Sequence, residues 1–282
     1  MLLNTLTLHT PQTTSEAAKL FKELEDSKVL AGGTFLLNSL KLLKTKGTRT
    51  PKNILSLAKV ADLKGISSSG SNVTIKAMTT ITEIFESQTI TERFPILHTI
   101  CRNISTTPIR NMASFGGNLT CRYTWTELPV AMMALDAHMY FMSPDGTGSV
   151  LSAEDFFKNN ARSEYLFTHA TISHDPLARL AYRRVRKMSE VDQPLLSLCV
   201  KTSFKGSQWS QTRVVINSGT AFAQRDYLLE EFLNGKTSGS NLGHEAMNHL
   251  TVAIYDTRST EYKQHMFRVS LRGAIEDLCK SN

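Results

Sequence analysis

Two short glycine-rich segments carry the most suggestive chemistry in the chain: Ala31-Gly32-Gly33-Thr34 and Ser114-Phe115-Gly116-Gly117-Asn118. Glycine lets the backbone come close to a ligand and turn successive N–H groups outward, which makes a nest for phosphate. The first segment leads into an apolar stripe at Phe35, Leu36, Leu37, Leu40 and Leu43. That stripe reads as a helix, and its N-terminus would add positive potential. A dinucleotide pyrophosphate carries two negative groups, so two such loops facing each other would suit it. A glycine pair also serves as a plain tight turn, and each segment taken alone leaves both readings open. Neither follows the GxGxxG pattern of Rossmann nucleotide binding or the GxxxxGK(S/T) pattern of a P-loop.

Other catalytic arrangements are missing from the sequence. It holds no HExxH and no GxSxG nucleophile elbow. The eight histidines show no ligand spacing, and His244 and His249 are expected on the surface of a C-terminal helix. Cys101, Cys121, Cys199 and Cys279 are far apart and form no CxxC pair, which argues against a zinc or iron–sulfur site held by this chain alone. They read as structural thiols.

The elements that must position these segments follow from periodicity. Thr13 and Glu16 make a capping box, and Ala17, Leu20, Phe21 and Leu24 follow on one helical face, predicting a helix over 14–25. Val29-Leu30-Ala31 reads as a buried strand, and 54–57 and 73–75 as strands around a turn-rich stretch at 67–72. Thr80 and Glu83 make a second capping box. Helical faces follow at Ile96, Leu97, Ile100 and Ile104, and again over 128–135. A strand over 137–142 ends in the turn Ser143-Pro144-Asp145-Gly146, and Asp175-Pro176 reads as a linker. Beyond it come strands over 180–185, 195–202 and 213–219, with Gly206 at the last turn, then two helices. The final helix carries Phe267, Leu271, Ala274, Ile275 and Leu278 on one face. The expected architecture is α+β, a larger N-terminal domain over 1–175 and a three-stranded antiparallel domain with helices over 176–282.

Composition sets the outer limits. The 282 residues are 41% hydrophobic and 20% charged, in the range of folded globular chains. No apolar run approaches the roughly 20 residues of a membrane helix, and the N-terminus lacks the basic region of a signal peptide. With its scattered thiols, the expectation is a cytoplasmic protein. The net charge of +7 points to anionic partners: nucleic acid, an acidic subunit or a phosphorylated cofactor. The densest basic run, Arg183-Arg184-Val185-Arg186-Lys187, sits in a predicted strand, and no nucleic-acid-binding motif accompanies it.

The ordered pair Val29-Leu30-Ala31-Gly32-Gly33-Thr34-Phe35-Leu36-Leu37 and Ile109-Arg110-Asn111-Met112-Ala113-Ser114-Phe115-Gly116-Gly117-Asn118-Leu119 resembles the flavoprotein subunit of molybdenum hydroxylases, the xanthine dehydrogenase and carbon monoxide dehydrogenase kind. Asp192-Gln193-Pro194 before a strand and Asp256-Thr257-Arg258-Ser259-Thr260-Glu261-Tyr262-Lys263 before the last helix extend the likeness over nearly the whole chain. The resemblance implies a flavin-binding domain of the vanillyl-alcohol-oxidase type. It also implies FAD held by Leu30, Ala31, Gly32, Gly33, Thr34, Phe35 and Leu36 on one side and Ser114, Phe115, Gly116, Gly117 and Asn118 on the other. Counting from these anchors, an apolar flavin contact falls on Ile104, ten residues before Ser114. A carboxylate for sugar or ribityl hydroxyls falls on Glu127, a residue flanking the flavin on Leu166, and a cation near the ring on Arg184. Removing Glu127 is expected to weaken FAD binding with little effect on the apoprotein.

By the same resemblance, the chain accepts electrons from 2Fe–2S clusters of a small partner subunit. A large subunit carries the molybdopterin cofactor, an external acceptor takes the electrons, and the whole forms a dimer of heterotrimers. No catalytic acid or base and no metal ligand is implied on this chain. Where the family has a small Ala-Ser-Pro stretch, this sequence has Arg122-Tyr123-Thr124-Trp125, which could narrow the adenine channel, shield the flavin, change a subunit contact or pack into a domain interface. A stand-alone flavin oxidase of the same fold and a FAD-less assembly protein are the alternative readings.

Overall fold

The sequence folds, in a computed structural model, into three sheets that share one series of helices, described for residues 5–121, 123–159, 164–188, 193–217, 222–256 and 260–280. Arg122, Asp192 and residues 257–259 of the sequence motifs lie outside this set.

The first sheet is parallel, in the order Thr7–His9 (β1), Asn53–Ser56 (β3), Ser27–Leu30 (β2). Its crossovers are the helices Thr14–Glu23 and Leu36–Thr45. Thr13 Oγ1 accepts the N–H of Glu16 as expected, but the Glu16 carboxylate takes the N–H of Gln12. The second sheet is antiparallel: Ile66–Ser69 (β4), Asn72–Lys76 (β5), Leu166–Ser173 (β8), His138–Met142 (β6), Gly148–Ser152 (β7). Thr80 and Glu83 form the predicted reciprocal cap on Ile81–Glu86.

The third sheet is the predicted C-terminal one. Arg179–Val185 (β9), Leu196–Lys205 (β10) and Gln208–Asn217 (β11) are joined by a two-residue fourth strand, Gln224–Arg225 (β12). Among the described residues, four helices rather than two follow: Tyr227–Leu233, Leu242–Ala246, Val252–Asp256 and Glu261–Lys280. The short middle helices lack the length needed for a readable 3.6-residue repeat. Of the two histidines placed on a helix, His244 is there and exposed, while His249 follows the second helix and stacks on Phe232.

A short helix joins the second and third sheets. All seven residues of Leu128–Ala134 are buried, as a helix that is apolar all round must be. It packs between the core that holds Met139, Phe141 and Phe167 and one face of β10 and β11, through Cys199 and Val215. The other face, with Leu198, Val200, Val214 and Ile216, is covered by Glu261–Lys280 through Phe267, Leu271 and Ile275. Alternation along β10 therefore divides its side chains between two cores. No cysteine is in a disulfide; burial pushes the Cys101 and Cys199 thiols up to about 12, which leaves them inert at neutral pH.

Met132, fully buried in this joining helix, gives the direct test of the packing. Met132→Ala is expected to cost about 2–5 kcal/mol in urea unfolding. A loss below about 1 kcal/mol would show that the helix does not carry the junction.

Candidate functional site

The site is built where β2 hands over to the helix Leu36–Thr45. Gly33 has φ +71°, a left-handed conformation that a side chain disfavours. Gly32 is needed for a different reason: a Cβ there would lie 2.0 Å from the carbonyl oxygen of Met112. The first loop thus presses directly on the backbone that leads into the second.

The N–H groups of Gly32, Gly33, Thr34, Phe35 and Leu36 have no acceptor among the described residues. Phe35 supplies no side-chain cap to the ten-residue helix behind it. Five successive donors at the positive end of a helix form an anion cradle.

The second segment works differently, and here the expectation of a second open nest is corrected. Residues Phe115–Thr120 are a short helix capped by Ser114, whose Oγ accepts the N–H of Gly117 at 3.2 Å. Phe115 N–H donates to Thr79 O at 2.8 Å, Gly116 N–H to Ala77 O at 2.7 Å and Asn118 N–H to Ser114 O at 3.0 Å. These donors face protein. Gly116 packs against Ala77, and a Cβ on Gly117 would meet Ser114 Oγ at 2.9 Å, so both glycines answer to close protein packing. What the segment leaves open is a side-chain atom. Asn118 Oδ1 is buried without a hydrogen-bond partner among the described residues.

Both segments border one cavity of ≈1610 Å³. That exceeds the roughly 300–1,000 Å³ of ordinary small-molecule sites and has room for a dinucleotide. Every residue assigned from the sequence lines it except two. Phe115 is fully buried and packs its ring toward Phe167, and Leu30 stands behind Gly33. Ile104 and Leu166 are on the wall, and so are several residues the sequence reading passed over, among them Ser39, Lys46, Tyr165 and Pro194. Tyr123 and Trp125 are on the wall as well, stacked on each other with ring centroids 4.2 Å apart.

Glu127 and Arg184, assigned separate roles, are partners. Arg184 Nε lies 2.9 Å from Glu127 Oε1, with side chains 8% and 4% exposed. The hydroxyl of Tyr182, two residues earlier on β9, donates to the same oxygen. Burial raises the Glu127 carboxyl above the usual carboxylate range, opposed by Tyr182 and Arg184. Burial and the neighbouring carboxylate push the Tyr182 phenol well up. Glu127 makes no side-chain cap on the helix that follows it. A carboxylate paired with a buried guanidinium supports the wall itself, so the expectation of little effect on the apoprotein gives way to an expected loss of stability. Tyr182 was legible in principle, since it shares a strand face with Arg184.

Known proteins share the sequence pattern and the fold. The carbon monoxide dehydrogenase medium chain of Hydrogenophaga pseudoflava is 31% identical over 150 residues, 53% of this chain and 50% of that one. The matched stretch thus spans half the length of that relative. The nicotine 6-hydroxylase medium subunit of Paenarthrobacter nicotinovorans is 25% identical over 276 residues, 94% of each chain. In fold, the chain superposes on a solved carbon monoxide dehydrogenase from Hydrogenophaga pseudoflava with a TM-score of 0.89, covering 98% of this chain and 97% of that one at 23% identity. Residues 4–172 match the family described as FAD binding domain in molybdopterin dehydrogenase, and the chain belongs to that family.

Proposed function

We propose that this chain is the FAD-carrying, electron-transfer subunit of a cytoplasmic molybdenum hydroxylase. Residues 1–175 form its FAD-binding domain and 176–282 a second domain that supplies Arg184. The observation that carries the reading is the run of five acceptor-free N–H groups from Gly32 to Leu36 on the wall of a dinucleotide-sized cavity. A pyrophosphate is the part of FAD that such a run fits. The buried Asn118 Oδ1 supports the same reading, because a buried acceptor without a donor costs free energy until a ligand supplies one.

FAD, when bound, supplies the redox chemistry; the protein binds it, orients it and shields it from water. The 32–36 loop holds phosphate, and Asn118 accepts from a ligand hydroxyl or amine. The Glu127–Arg184 pair fixes the cavity wall between the joining helix and β9. Electrons arrive from 2Fe–2S clusters on a small subunit, beside a large molybdopterin subunit, and leave to an external acceptor. The assembly is a dimer of heterotrimers. The names of the similar proteins, medium chain and medium subunit, support a multi-subunit setting.

The tagged chain isolated from its native host should carry flavin absorption together with molybdenum and iron. A monomer holding flavin alone and oxidising a small organic substrate with dioxygen would contradict the subunit reading.

Glu127→Ala takes the carboxylate away from a buried guanidinium and is expected to lower apoprotein stability by about 3–5 kcal/mol. Glu127→Ala combined with Arg184→Met should recover most of that loss, because an apolar pair of similar volume is often as stable as a buried ion pair. Denaturant unfolding of the FAD-free protein reads both. Equal stability of Glu127→Ala and wild type would show that the pair does not hold the wall.

A further inference from the structure

The cavity wall carries an aromatic cluster that phosphate binding does not use. Phe35, from the first loop, lies with its ring centroid 4.2 Å from Tyr123 and 5.6 Å from Trp125, tilted about 50° to each. Tyr123 and Trp125 stack nearly parallel, at 4.2 Å and 24°. Trp125 therefore spends one face on Tyr123 and meets Phe35 at a slant. No other described ring touches it. All three line the cavity, and Phe35 is 38% exposed.

Trp125 is also held in place. Tyr123 O accepts both the N–H and the Oγ1 hydrogen of Thr126, at 3.1 and 2.8 Å. Thr126 O accepts from Asn217 Nδ2 at 2.6 Å, and Asn217 is 1% exposed. Glu127, the next residue, is tied to Arg184 and Tyr182. An indole fixed between two buried anchors has little entropy left to lose when a ring settles on it. The indole N–H and the Tyr123 hydroxyl have no hydrogen-bond partner among the described residues. The wall thus offers a flat apolar face edged by open donors.

We propose that Trp125 is the stacking platform for a planar heteroaromatic ring of the bound dinucleotide, with Tyr123 and Phe35 backing the indole. The proposal rests on the FAD reading above. The ring is either the adenine or the isoalloxazine; both offer a flat π-face of the kind that pairs with an aromatic side chain.

The test uses the full chain freed of cofactor, titrated with FAD, ADP, FMN and inorganic pyrophosphate, for wild type, Trp125→Ala and Trp125→Phe. Trp125→Ala should weaken FAD binding by at least about tenfold (~1.4 kcal/mol), with pyrophosphate binding unchanged. Trp125→Phe should stay within about threefold of wild type, since it keeps a ring. A parallel loss for ADP with FMN unaffected assigns the adenine; a parallel loss for FMN with ADP unaffected assigns the isoalloxazine. FAD, ADP and FMN all bound by Trp125→Ala as by wild type would overturn the platform while leaving the FAD reading intact. A loss that extends equally to pyrophosphate would overturn it too, showing that Trp125 only supports the fold of the site. Failure of the wild-type chain to bind FAD would overturn the underlying reading, and the platform with it.

Discussion

The contact on which the site depends is between two stretches of main chain. Gly32 sits so close to the Met112 carbonyl that a single methyl group would overlap it. This approach fixes the first loop against the segment that becomes the capped helix at Ser114. The N–H groups that follow Gly32 have no acceptor among the described residues. Close packing and open donors are two results of one constraint. Any side chain at position 32 would push the loops apart, and with them the phosphate cradle and the aromatic cluster that spans both.

The two glycine segments look alike in sequence and divide the work between them. The first keeps its donors free and uses a left-handed Gly33 to turn them into a run ahead of a helix. The second spends its donors on Ala77, Thr79 and its own cap, so it acts as a rigid wall and offers one buried amide oxygen. Opposite them, β9 reaches into the cavity with Arg184, whose charge is balanced by Glu127. The C-terminal sheet therefore completes the site as well as packing behind it.

Much of this was legible from local pattern. The Thr80–Glu83 cap, the buried helix over 128–134, the β9 strand and the collinear glycine segments all depend on residues a few positions apart. What sequence could not show depends on distant groups. Carbonyls of Ala77 and Thr79 consume the N–H groups of Phe115 and Gly116, and nothing near position 115 announces them. The pairing of Glu127 with Arg184 and Tyr182 spans more than 50 positions and turns two assignments into one ion pair. Phe115 turned inward because a six-residue helix buries its first side chain against Phe167, where a loop would have left it free. Short helices near the C-terminus fell below the length at which periodicity can be read.

Amide nitrogen-15 spectra of the glycine-labelled chain, with and without FAD, test the central claim most directly. The account predicts that FAD and pyrophosphate shift the Gly32 and Gly33 amides strongly, as open donors gain a charged acceptor. Gly116 and Gly117, already bonded to Ala77 and Ser114, should move little. Large shifts at Gly116 and Gly117 with Gly32 and Gly33 unmoved would contradict it.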